Sequence, residues 1–258
     1  MPFGSVFSKF PYIRTATADS RRIEFKNNFI TKIGFLVLGI PHIGLRLRAR
    51  KISKNIPKRT GRMLDAGCGA GIYSFSLADK ADSIEAVDID GKKIDYAKKI
   101  NLFKNIKFSV QDIKKLKFKN KSFDLIICSD VLEHIKDDEK AFSELARVLD
   151  NNGKLLITLP FASKKNILTY KRYNHERPGY SLESIKNLCR KYGLIVDKRE
   201  AYSREITEKF SVITDEKIKN RLLLGILFYP LYWLCLLTEN IFCKSEPNGI
   251  FFKLIKKD

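Results

Sequence analysis

Leu64-Asp65-Ala66-Gly67-Cys68-Gly69-Ala70-Gly71, with Val87-Asp88 closing the next apolar run, constrains this chain more than any other stretch. Apolar residues lead into a glycine-rich turn, and a helical pattern over 72–80 leaves it. A strand, a tight turn and a helix in that order form the first half of a nucleotide-type βαβ unit. Glycines there let the backbone take unusual dihedrals and approach a ligand closely. Asp88 follows about 20 residues on, where such folds set a carboxylate against a ribose diol.

The spacing discriminates among ligands. A dinucleotide fingerprint needs Gly or Ala at its sixth position, and counting from Gly67 that position is Ile72. Carboxylates recur where predicted strands end, at Asp65, Asp88, Asp112 and Asp130. In an open α/β sheet those ends line one crevice. Several acids there repel a pyrophosphate and suit a cationic ligand. S-adenosylmethionine carries a sulfonium and an ammonium and no phosphate, so this crevice favours it over NAD or ATP.

Over 62–160 the sequence resembles the class I S-adenosylmethionine-dependent methyltransferases. LDAGCGAG resembles the family's first motif and AVDID its ribose-binding acid. Phe108-Ser109-Val110-Gln111-Asp112-Ile113 resembles the adenine-contacting segment. FDLIICSDVLEHI and LARVLDNNGKLLITLP resemble the fourth and fifth strands, with Asn151-Asn152 replacing the usual Pro-Gly. The VLEHI after strand four is similar to small-molecule methyltransferases of ubiquinone and menaquinone biosynthesis. The resemblance implies cofactor contacts at Asp65, Gly67, Cys68, Gly69, Asp88, Ile89, Asp112, Ile113 and Ser129. Gly67 and Gly69 would flank the methionine moiety and Asp65 organise its ammonium. Asp88 would take the ribose hydroxyls, and Asp112 with the Ile113 backbone would read adenine.

The alternation of patterns predicts a doubly wound, seven-stranded Rossmann-like sheet. Strands are expected at 62–66, 83–88, 106–111, 123–129, 153–159, 194–201 and 250–256. Helices are expected at 72–80, 91–101, 137–149 and 181–192, the last capped by Ser181 and closed by Gly193. The resemblance implies that the seventh strand runs antiparallel beside the fifth. The domain reading has three parts. Residues 1–60 form a basic helical extension, 61–202 with 249–258 the cofactor domain, and 203–248 an apolar helical insertion.

Charge supports that division. Residues 1–60 hold 13 Lys/Arg against 2 Asp/Glu, 61–160 hold 17 against 16, and 161–258 hold 19 against 11. The net charge of +20 therefore belongs to the flanks. The same flanks hold two uncharged apolar runs, 33–45 and 222–238. A spanning helix needs about 20 apolar residues, whereas the second run offers 17 with Pro230 near its middle. The expectation is a kinked helix or hairpin lying on an anionic membrane surface, or a lid packed over the substrate pocket. Lys217, Lys219, Arg221, Lys244 and the cluster Arg46, Arg48, Arg50 and Lys51 would supply the cations, and Tyr229, Tyr232 and Trp233 the interfacial aromatics. The amino terminus shows no signal-peptide plan. The chain is thus expected in the cytoplasm, peripheral on the inner face of the cell membrane. Cys68, Cys128, Cys189, Cys235 and Cys243 lack paired or metal-ligand spacing, so reduced thiols and no metal are expected.

Methyl transfer from a sulfonium is an in-line displacement driven by proximity, orientation and exclusion of water. A hydroxyl acceptor also needs a base near its proton. Candidates are Asp130 and His134 after strand four, and Tyr170, Tyr173, His175 and Glu176 after strand five. His134 opens a helix, a position that favours capping or packing. The expected acceptor is a small or lipid-linked molecule. The alternatives are a nucleic-acid methyltransferase using the basic flanks and a non-catalytic cofactor-binding module. Ser129-Asp130-Val131-Leu132 stands where base-amine methylases carry Asp/Asn-Pro-Pro-Tyr/Phe, which argues against nucleic acid. Oligomeric state is left open.

Overall fold

The computed structural model describes residues 43–203, Leu234 and 246–257. Most of them belong to one compact unit, Arg48–Tyr202 with Pro247–Asp258. In chain order the strands are β1 (Thr60–Ala66), β2 (Ala81–Asp88), β3 (Ile106–Val110), β4 (Phe123–Ser129), β5 (Leu149–Pro160), β6 (Leu194–Ser203) and β7 (Gly249–Lys256). The helices are α1 (Ile43–Asn55), α2 (Ile72–Ser76), α3 (Gly91–Ile100), α4 (Asp138–Val148), α5 (Lys164–Thr169) and α6 (Leu182–Lys191).

The strands form one sheet in the order β3-β2-β1-β4-β5-β7-β6. β1 pairs in parallel with β2 and β4, β2 with β3, and β4 with β5. β7 runs antiparallel to β5 from Lys154↔Ile255 to Pro160↔Gly249, as the resemblance implied. The central strands are apolar along nearly their whole length because both faces are covered. Met63, Leu64, Ile126, Ile127, Leu155, Leu156 and Ile157 are all buried.

Helix ends follow local chemistry. Asp90, Asp137 and Ser181 each cap a helix, their side chains accepting from backbone N–H groups one turn on. α4 then lays Ala141, Phe142, Leu145 and Val148 into the core. Gly193 takes a left-handed φ of 70° after α6 and turns the chain into β6.

The first helix is shorter than its pattern suggests. α2 stops at Ser76, and the following turn brings the Lys80 carbonyl to 2.8 Å from the Thr60 N–H. That bond ties Lys80 to the start of β1, so the helix has no room to continue. β5 in turn begins at Leu149, earlier than the expected residue 153, and Leu149 pairs with Phe123 before a register shift. Asn152, at φ 58°, makes the turn that Pro-Gly usually makes. Sequence patterning did not anticipate α5.

Helix α1 falls within the predicted basic extension. The apolar runs 33–45 and 222–238 lie outside the described residues, apart from residues 43–45 and Leu234. Among the described residues no helix is long and apolar enough to cross a membrane. Cys68, Cys128 and Cys189 are free and buried, while Cys235 and Cys243 lie outside the described residues. Burial pushes the Cys189 thiol up to about 11 and the other two upward as well.

Phe252 reaches from β7 into the cluster around Phe142, Leu155 and Leu194. Phe252→Ala should cost about 3–5 kcal/mol of stability by urea unfolding, from lost transfer energy and the cavity left behind.

Candidate functional site

The C-terminal ends of β1, β2 and β4 meet at the glycine loop. Gly67 takes φ 76° and Gly71 φ 88°, conformations that L side chains rarely adopt. The Val87 carbonyl accepts the N–H groups of Gly67 and Cys68 at 2.8 and 2.9 Å, pinning the loop to β2. A Cβ at Gly67 would stand 2.4 Å from Val131 Cγ2. Glycine therefore permits the loop to touch the turn that follows β4.

The sequence-predicted acids divide into different roles. Asp88 accepts the Gly69 N–H at 2.8 Å on Oδ2 and the Asp90 N–H at 2.9 Å on Oδ1. It is partly exposed, so its carboxylate both shapes the loop and faces solvent. Beside it stand two exposed apolar side chains, Ile89 at 71% and Val110 at 49%. Asp65 instead lies beneath the loop at 1% exposure, with Ser74 N and Oγ donating to its Oδ2 at 3.0 and 2.6 Å. Burial pushes its carboxyl up to about 6, against the two Ser74 bonds and with help from Asp88. Asp65 thus anchors the start of α2. Asp112 caps a short 3-10 turn by accepting the Lys114 N–H at 2.9 Å. The side chains of Ile113 and Cys68 are buried.

A polar chain crosses the ends of β4 and β5. The Thr158 hydroxyl donates to Asp130 Oδ1 at 2.8 Å. Its oxygen can then accept from Ser129 Oγ at 2.8 Å, which in turn accepts from Tyr73 Oη at 3.1 Å. Tyr202 Oη also donates to Asp130 Oδ1, at 3.2 Å. Arg48 Nη1 pairs with Asp130 Oδ2. The Arg48 Nε–H is buried and has no partner among the described residues.

Three residues expected to meet a ligand or lipid have partners within the chain. Asp130, expected as a base, has both oxygens committed to donors. Arg48 and Lys51, expected to face anionic lipid, pair inside the fold, Arg48 with Asp130 and Lys51 with Glu200 at 3.7 Å. Burial holds the Lys51 ammonium below its ordinary pKa, with Glu200 opposing. Sequence reading missed Arg48 as a site residue because its partner lies 82 positions away.

Of the remaining catalytic candidates, His134 and His175 gather with Glu133, a residue not singled out before. His134 Nδ1 lies 3.1 Å from the Asn174 carbonyl, which makes it the donor there. Its ring meets His175 edge-on at 4.7 Å. Burial, and His134 beside it, lower His175 to about 4, so its imidazole is neutral at pH 7. Glu133, at 1% exposure, keeps Oε2 without a partner among the described residues. Burial pushes its carboxyl up to about 7, against the pull of Arg48 and Arg177. Glu133, His134 and His175 each bring a donor atom within 4.8 Å of the others, although no metal was expected from the sequence. The Glu133 carbonyl accepts the Glu176 N–H at 2.8 Å, which fastens the loop over this cluster. Tyr170 starts a 3-10 turn through Tyr173, whose side chain lies outside the described residues.

A family model described as a methyltransferase domain matches residues 57–221. The chain is 31% identical over 119 residues to a ubiquinone biosynthesis O-methyltransferase of Coxiella burnetii, covering 45% of this chain and 51% of the relative. It is 31% identical over 167 residues to a ubiquinone/menaquinone biosynthesis C-methyltransferase of Rickettsia bellii, covering 61% and 64%. The chain therefore spans about half to two thirds of the length of these curated relatives. A Haemonchus contortus phosphoethanolamine N-methyltransferase, solved with S-adenosyl-L-methionine, shares the fold at TM-score 0.57 and 24% identity. That match covers 82% of this chain and 52% of the other.

Glu133 holds its proton more tightly folded than unfolded. Its stabilising neutral form is fully present below about pH 4, and that stability is lost as pH rises through about 7. Glu133→Gln should therefore match the wild type near pH 5 and exceed it near pH 8.5, by on the order of 2–3 kcal/mol in urea unfolding.

Proposed function

Because the chain belongs to the class I S-adenosylmethionine-dependent methyltransferases, we propose that it methylates a small or lipid-linked acceptor. The observation that carries the reading is the glycine loop, packed against Val131 at Gly67 and tied at Gly69 to the partly exposed Asp88 carboxylate. Two features fit the cofactor. Beside Gly69 the loop is open, since a Cβ there would meet nothing within 4 Å. A buried, unpartnered Arg48 Nε–H offers a partner to the one anionic group that a methionine end carries.

The chain's residues divide the recognition among them. Asp88 takes the ribose hydroxyls with its remaining lone pairs. Ile89 and Val110 supply apolar cover for the adenine, and Asp112 with the Ile113 backbone reads its edge. Gly67, Cys68 and Gly69 border the methionine moiety, Ser129 closes that end, and Arg48 receives the carboxylate. Asp65 acts from beneath by fixing the loop. When bound, S-adenosylmethionine supplies an electrophilic methyl on a sulfonium. The protein then has to hold the acceptor in line and exclude water.

The names of the relatives suggest an acceptor resembling a quinone precursor. A lipid-soluble acceptor agrees with the second part of the proposal, attachment at an anionic membrane surface. The apolar run 222–238 with its flanking cations supports that part. Nucleic acid could use the cations but has no use for the apolar runs.

Calorimetry should show micromolar binding of S-adenosylmethionine and its demethylated product. Asp88→Ala should weaken both by about 1–3 kcal/mol. No heat with the cofactor, alongside saturable binding of NAD, would overturn the reading. For the membrane, cosedimentation with anionic liposomes should be strong. It should fall when Leu222, Leu223, Phe228, Trp233 and Leu234 are made polar. Undiminished binding by a folded polar variant would leave a soluble enzyme.

A further inference from the structure

Three elements converge on the carboxylate of Asp130: Arg48 from α1, Thr158 from β5 and Tyr202 from β6. Asp130 itself sits at φ 50°, which turns its side chain out of the β4 register. A non-glycine residue in that conformation is uncommon and costs energy. Its N–H is satisfied by the Thr158 carbonyl at 3.0 Å, so the conformation is held by backbone as well as side chain.

The pair leaves a specific part of Arg48 unused. Asp130 engages Nη1, while the Nε–H is buried without a partner among the described residues. Buried polar groups normally find partners, and a charged donor left alone is costly. A guanidinium presents its donors in a rigid plane, so fixing one nitrogen fixes the direction of the others. Arg48 otherwise has a long, flexible stem whose ordering would oppose ligand capture. Asp130 also offsets the charge of Arg48, which lowers its attraction for simple anions. A zwitterion, with an ammonium beside its carboxylate, suits such a pair better.

We propose that Asp130 is a positioning residue, orienting Arg48 so that its Nε–H meets the carboxylate of an α-amino-acid zwitterion. The assignment rests on the cofactor reading given above, where that zwitterion is the methionine end of S-adenosylmethionine. Asp130 then acts through Arg48. Thr158 and Tyr202 hold Asp130 in turn, which links cofactor recognition to β5 and β6.

The test compares two ligands by calorimetry. S-adenosylhomocysteine carries the zwitterionic end, whereas 5′-methylthioadenosine has the same nucleoside and sulfur without it. Asp130→Asn and Arg48→Gln should each weaken S-adenosylhomocysteine about tenfold or more. Both should leave methylthioadenosine within about twofold, and the double variant should bind no worse than Arg48→Gln alone. Tyr202→Phe and Thr158→Val, which each remove one donor to Asp130, should move the ratio of affinities in the same direction by less. They also serve if Asp130→Asn does not fold. Unchanged S-adenosylhomocysteine binding in Asp130→Asn would overturn the assignment. So would equal loss for both ligands, the mark of a purely structural role. Wild-type protein that binds neither ligand would overturn the cofactor reading itself.

Discussion

A parallel sheet covered on both faces leaves little room for polar chemistry except at its rims. β1, β4 and β5 bury Leu64, Ile126 and Leu155 completely, and burying unpaired charge among them would cost several kcal/mol. Asp65, Asp88 and Asp130 stand instead where the strands run out. The crossover helix α2 then delivers the Ser74 N–H to the same rim, and α1, ahead of β1, delivers the Arg48 guanidinium. The close approach of Gly67 to Val131 is possible only because β1 and β4 are neighbours. Sheet order therefore decides which loops can meet and what they can bind.

The local motif was legible in the sequence for a physical reason. A glycine turn, a strand-end acid and alternating apolar segments are short-range signals set by dihedrals and periodicity. The sheet and the antiparallel seventh strand followed from them and from the family resemblance. Arg48 was not legible. In a run of Arg46, Arg48, Arg50 and Lys51 nothing local distinguishes the cation that turns inward, since its partner arrives from β4. Glu133 was missed because a carboxylate normally marks a solvated surface, yet the flanking Leu132 and the loop at Glu176 cover it. Asp65 was expected to organise the cofactor's ammonium, and its contact with Ser74 shows that an acid can serve a loop from below. The reading of 72–80 as one helix failed because periodicity does not register the bond between Lys80 and Thr60.

The acids of the rim are kept apart electrostatically as well as in space. Asp65 and Glu133 are raised by burial toward neutrality, whereas Asp130 is paired with a guanidinium. Such separation lets one rim carry several carboxylates without the mutual repulsion that their number suggests. It also means that formal charge counts overstate the negative field that a ligand meets.

β6 ends at Ser203 and β7 begins at Gly249, and the two strands are neighbours in the sheet. Their facing ends touch, since a Cβ at Gly249 would overlap the Tyr202 ring. The two points at which the sheet fixes the ends of the intervening stretch are therefore adjacent. Closing a chain between fixed, adjacent ends costs only about 0.6 kcal/mol more for each doubling of its length. The intervening stretch is thereby an exchangeable cassette. It can be shortened, extended or replaced over evolutionary time while the sheet that positions the rim keeps its register.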